Sequence, residues 1–152
     1  MKKLVWVAIA LVVVIGVVLA QDLRAGHADS DTELVFFFSD STKDIESAAR
    51  ALRALRAKRP SLRVRPIFLA EDFGSVAKPS DDLTAGIREL KYAVGDGFSL
   101  ALYDEDGLAL ARQLKIDRLP AFAAIVTSGE RRKTCVAYGT RANLEELLTC
   151  GK

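Results

Sequence analysis

Histidine is almost missing from these 152 residues: the only one is His27. It sits in the polar stretch Asp22 to Thr32, beside Gly26, Asp29, Ser30 and Asp31, where there is almost nothing to bury. A flexible tether is expected there, so a histidine-based metal site or catalytic base has no rigid frame to stand on. Cysteine is scarce as well, with Cys135 and Cys150 alone. A charge excess is also lacking, since without Lys2 and Lys3 the 22 basic residues become 20, against 20 acidic ones. A formally neutral body does not call for nucleic acid. The acidic run Asp104-Glu105-Asp106-Gly107 lacks the later ligands and the bidentate glutamate of a calcium loop, and it reads as a turn. No metal and no cofactor is called for. There is no internal repeat, and no low-complexity tract beyond the first twenty residues.

One long apolar run is present. Lys2 and Lys3 precede 17 residues, Leu4 to Ala20, that contain no charge, no proline and a single glycine, Gly16. This is a targeting segment, and the lysines before it send the chain beyond Gln21 across a membrane, in a bacterium into the periplasm. Its length falls between the roughly 7 to 15 residues of a signal-peptide core and the roughly 20 of a spanning helix. Val18-Leu19-Ala20 suits cleavage before Gln21, and the valine-rich core also suits an anchor, so both outcomes stay open. The expected organisation is therefore a signal peptide or membrane anchor over 1–20, a flexible tether over 21–32 and one domain over 33–152.

Glu33 to Ser39 (ELVFFFS) is an apolar, aromatic run of strand length that ends in Ser-Asp-Ser-Thr. Between Thr42 and Lys58, Ile45, Ala48, Ala49, Leu52 and Leu55 fall on one face, which predicts a helix starting at Ser41 or Thr42 and ending before Pro60. Arg50, Arg53, Arg56, Lys58, Arg59, Arg63 and Arg65 make this part of the chain basic, and a solvated helix face explains them better than a docking surface. A second strand is expected over Arg63 to Leu69, in which Pro66 demands an edge or entry position. After a loop over residues 70–80, Leu83, Ile87, Leu90 and Val94 predict a helix that starts behind Ser80 and stops at Gly95. Phe98 to Tyr103 is a third strand candidate, Leu108 to Lys115 a short helix, and Ala121 to Thr127 with Lys133 to Tyr138 a hairpin around Ser128-Gly129-Glu130. A last helix is expected to open at Gly139-Thr140, bury Leu144, Leu147 and Leu148, and end at Gly151. The order predicts an α/β domain with a mixed central sheet and helices on both faces.

This pattern resembles the thioredoxin fold. The segment LALARQLKI followed by Asp117-Arg118-Leu119-Pro120-Ala121-Phe122 looks like the short helix and cis-proline that open the central hairpin of such proteins, and the hairpin turn and Gly139 also match. The resemblance runs from Leu34 to Leu148, with the helix after Asp82 and the strand before Asp104 as an insertion. It implies that Pro120 is a cis-proline. It also implies a Cys-x-x-Cys after the first strand, where a helix N-terminus would activate a thiolate. This chain has Ser39-Asp40-Ser41-Thr42 there instead, with no histidine to activate a hydroxyl. Those four residues are expected to cap the helix. Together with Leu119 and Pro120 they are the candidate binding groove, and no catalytic residue is assigned.

The resemblance further implies that the last helix runs back beside the strand before it, so that Cys135 and Cys150, 15 residues apart, can meet. A structural disulfide is expected, with a redox-active pair and two free thiols as the alternatives; a loop of this size is worth about 3 kcal/mol on chain entropy. Phe37-Phe38-Ser39, Leu119-Pro120-Ala121-Phe122 and the closing leucine-rich helix resemble those of periplasmic pilus-assembly proteins of F-type conjugative type IV secretion. The function expected on that basis is a non-catalytic, exported protein-binding module, with other envelope proteins, secretion or pilus-assembly components among them, as partners. Contact with the membrane would run through residues 1–20 if they are kept. The alternative is a periplasmic thiol-disulfide oxidoreductase that uses Cys135 and Cys150.

Overall fold

The computed structural model describes residues 31–70, 80–95, 98–101 and 104–150. The targeting segment, His27, most of the tether, the loop over 71–79 and Gly151 lie outside the described residues. Strand β1 (Asp31–Phe38) begins two residues earlier than expected, since Asp31 and Thr32 pair with Thr127 and Val126 instead of ending the tether. It runs parallel to β2 (Arg63–Phe68) and antiparallel to β3 (Ala121–Ser128), which in turn pairs antiparallel with β4 (Arg131–Tyr138). The sheet order is β2-β1-β3-β4. Pro66 therefore lies in an edge strand, where a residue without an N–H is tolerated.

Alternation along β1 divides the core in two, because successive side chains point to opposite faces. Leu34, Phe36 and Phe38 join Phe122 and Ala124 on one face. The rings of Phe36 and Phe122, partners in the register, stack at 4.6 Å between centroids, and Phe38 meets Phe68 edge-on at 5.5 Å. This face is covered by α1 (Ile45–Lys58), α2 (Asp81–Val94) and α4 (Leu144–Thr149) through Ile45, Leu52, Leu83, Leu90, Leu147 and Leu148. Val35 and Phe37 point the other way, into a thinner layer with Ile67, Ala123 and Ile125 under α3 (Glu105–Gln113). Two glycines allow close approach. A Cβ on Gly86 would lie 2.7 Å from Ile45 Cβ, and one on Gly107 only 2.5 Å from Ile67 Cγ2.

Several helix starts differ from expectation, each for a local hydrogen-bonding reason. α1 starts at Ile45, with Asp44 before it in a left-handed conformation (φ 62°) and no side-chain cap. Ser39 and Thr42 do not cap it, because they bond to each other: local side-chain bonds to the backbone compete with helix. The acidic run at 104–107 is the start of α3 and not a separate turn. Asp104 Oδ1 accepts from Gly107 N at 2.7 Å, and Glu105 and Asp106 occupy the first turn, where the helix dipole favours acids. α4 is capped by Asn143, which accepts from Glu146 N at 3.2 Å, and so begins later than Gly139-Thr140.

Of the strand expected over 98–103, residues 98–101 have no regular structure, and 102–103 lie outside the described residues. Phe98 N closes a turn onto Gly95 O at 2.9 Å, while Phe98 and Leu100 pack against the first core without strand pairing. A short apolar run signals burial, and burial alone does not require a ladder. The architecture that results is a thioredoxin-like one, a four-stranded mixed sheet with helices on both faces.

Candidate functional site

Two places in this fold hold the residues that the sequence singles out. The first is the end of the sheet where β1 stops and β3 starts. Phe37 pairs with Ala121, so the residues beyond them, Ser39 to Thr42 on one side and Leu119 and Pro120 on the other, continue at the same end of the sheet. The Leu119–Pro120 peptide is cis. Pro120 O accepts from Gly139 N at 2.8 Å, Leu119 packs into the thinner core, and the Arg118 guanidinium lies 4.5 Å over the Tyr138 ring.

Ser39 is the one fully buried polar residue among the described residues. Its N–H donates to Thr42 Oγ1 at 2.9 Å, its carbonyl accepts from Thr42 N at 3.1 Å, and its hydroxyl shares a hydrogen bond of 3.0 Å with Ser41 Oγ. A buried hydroxyl must be satisfied, and this turn does so from within itself. The expectation that Ser39 to Thr42 cap the helix is thus corrected to a closed turn ahead of it. In these contacts Ser39 Oγ meets Ser41 Oγ, and Thr42 Oγ1 accepts from the Ser39 N–H.

The second place is the corner between β4 and α4. Here the structure joins Cys135 and Cys150 in a disulfide, with Cα atoms 6.5 Å apart. Cys135 is half-buried at the middle of an edge strand, and Cys150 is exposed at the C-cap of α4. A shallow hollow beside the bond is lined by Cys135, Val136, Ala137, Asn143, Glu146 and Cys150. Alternation places Lys133 and Arg131 on the same face of β4 as Cys135, both exposed. This basic neighbourhood went unremarked in the sequence, although counting back by twos from Cys135 finds it. At the other end of α4, Lys58 Nζ donates to Glu145 Oε1. That hydrogen bond, with the lysine charge, holds the Glu145 carboxyl below the usual carboxylate range.

The basic helix has a structural use that its sequence pattern does not reveal. Arg56 Nη1 donates to Ala93 O at 3.0 Å and also to Val94 O, closing the C-terminal carbonyls of α2. Arg65 Nη2 likewise reaches Asp104 Oδ2 at 3.2 Å, tying β2 to the start of α3. Both arginines are thus drawn out of the solvated face to which their sequence positions assigned them.

No protein-family model and no curated protein matches the chain. Among solved structures it is similar to MTB DsbF in its mixed oxidized and reduced forms, at 17% identity over 79% of this chain and 78% of that one, with a TM-score of 0.49. It is also similar to a secreted Mycobacterium tuberculosis disulfide oxidoreductase homologous to E. coli DsbE, at 16% identity over 78% of each chain and a TM-score of 0.47. A third is a thioredoxin-like protein from Aeropyrum pernix, at 17% identity over 81% of this chain and 77% of that one, with a TM-score of 0.48. The expectation of a non-catalytic binding module, an accessory of conjugative pilus assembly, is corrected on this chain's own geometry: it carries a bonded cysteine pair whose Cys150 end is exposed beside a hollow. What that pair can do is set by this chain's own residues.

Proposed function

We propose that the chain is a thiol-disulfide oxidoreductase of an exported compartment that works through Cys135 and Cys150. The observation that carries this reading is the exposure of the Cys150 end of the bond beside an open hollow, since a buried staple offers no path for an incoming thiolate. In the oxidising direction, a client thiolate attacks Cys150 Sγ. The disulfide breaks and Cys135 Sγ leaves as a thiolate with the bonding pair. A second client thiolate then attacks the client sulfur of the mixed disulfide, and Cys150 Sγ leaves in turn. The client is oxidised by two electrons, the chain is reduced by two, and the two client protons end on Cys135 and Cys150.

The surroundings favour that order. Cys150 lies at the carbonyl end of α4, where the helix dipole opposes an anion, so it suits the sulfur that stays covalently bound during the first step. Lys2, Lys3 and the apolar run after them are the sequence grounds for export, and an oxidising compartment would recharge the pair after each turnover.

The test is catalysis of scrambled-ribonuclease refolding or insulin reduction by the purified chain, with Cys150→Ser alongside. Activity in the native chain that disappears in Cys150→Ser is expected. A native chain no better than buffer, with its pair verified as bonded at the start, would sink the proposal.

A further inference from the structure

β4 is the last strand of the sheet, so along its outer side alternate N–H and C=O groups meet no strand among the described residues. Its residues 131–134 are exposed and include Arg131, Arg132 and Lys133, whereas residues 135–138 are half-buried. None of these three cations forms an ion pair among the described residues. The exposed cysteine bond sits where the basic half ends. An open edge, a block of positive charge and a reactive bond thus occur on one strand, and the exchange chemistry alone accounts only for the last.

We infer, resting on the exchange reading above, that the client is an extended chain segment carrying acidic residues, which adds to β4 as a further strand. Main-chain hydrogen bonds to the open edge would hold it without regard to sequence, and the cations would select for carboxylates. Side chains directly across a strand pair lie roughly 4.5–5.5 Å apart at Cβ, so a client cysteine on the Cys135 face comes within reach of the pair. Acidic residues further along the same client strand then face Lys133 and Arg131. Selection works through charge on β4, while the sulfur chemistry needs only the two cysteines.

Peptides of about eight residues, the length of β4, test this, each with one cysteine among either glutamates or lysines. The readout is the rate of mixed-disulfide formation with the oxidised full chain, with uncharged 2-mercaptoethanol as a small-thiol control. The glutamate peptide is expected to react on the order of tenfold faster than the lysine peptide at low salt, with the advantage shrinking at high salt. In the triple variant R131E, R132E, K133E the order of the two peptides should invert once each rate is divided by that variant's own 2-mercaptoethanol rate, which removes any effect of the charges on the sulfur chemistry itself. N-methylating every second backbone nitrogen of the glutamate peptide, made in both registers, should abolish the advantage in one of them. Equal peptide rates, or an advantage that survives both methylated forms, would overturn the strand docking while leaving exchange intact. A bond that no thiol opens, 2-mercaptoethanol included, would overturn the exchange reading and this inference with it.

Discussion

The β1–β3 end of the sheet and the β4–α4 corner carry opposite kinds of polar chemistry. At the first, Ser39 is fully buried and its turn is closed by hydrogen bonds among Ser39, Ser41 and Thr42. At the second, the polar and reactive groups are turned outward, with Cys150 exposed and a hollow beside the bond. A thioredoxin-like fold that lacks a dithiol after its first strand still holds a cysteine pair, on a different element and at the sheet's edge. Fold and chemistry are separable, so a missing motif at one position does not empty the whole scaffold of function.

The contrast can be tested by breaking each region in turn. The largest effect is expected from Cys150→Ser, which should remove exchange and also cost about 3 kcal/mol for a bridge that closes 15 residues, read from urea denaturation against the oxidised chain. Intact exchange in that variant would move the chemistry away from this corner. Gly107→Ala comes next. The added methyl meets Ile67 Cγ2 at 2.5 Å, so the overlap should outweigh alanine's better helix propensity and leave a net loss of about 1–2 kcal/mol with exchange unchanged. A stabilised variant would show that α3 can move off β2 freely.

Ser39→Ala should cost about 1 kcal/mol in thermal or urea unfolding, since it strips the hydroxyl from a buried turn. The exchange rate should not change. A slowed rate would place the Ser39 turn in the reacting site after all. The smallest effect belongs to the start of α4. Glu145 has its folded-state pKa lowered by Lys58, so its contribution is fully present above the unfolded carboxylate value and is lost as pH falls through the folded one. The stability difference between the native chain and Glu145→Gln should therefore be small at neutral pH and vanish on acidification. A difference that grows in acid would contradict the Lys58–Glu145 contact.

Much of the fold was legible because it is written in local periodicity. The alternation of Leu34 to Phe38 gives two buried faces, and the spacing of Ile45, Ala48, Leu52 and Leu55 gives the inward side of α1. The sites were harder to read. Asp104 and Asn143 cap their helices and Asp44 does not, while Ser41, Thr42 and Thr140 look equally suitable in sequence, and only the folded turn decides which oxygen caps. Arg56 looked like one more exposed charge because its acceptors, the Ala93 and Val94 carbonyls, lie 37 and 38 residues away.

The sequence by itself determined an α/β chain with two-sided burial, Pro66 at an edge and a single histidine in a polar stretch, which gives a histidine-based site no frame. Backbone geometry makes such features readable, since strand and helix periods act over a few residues. Tertiary structure alone decided that β4 is the last of the described strands, that Phe98 and Leu100 are buried without pairing, and that Arg56 closes the carbonyl end of α2. Those outcomes depend on strand order and on contacts between residues distant in the chain, for which a one-dimensional pattern carries no signal.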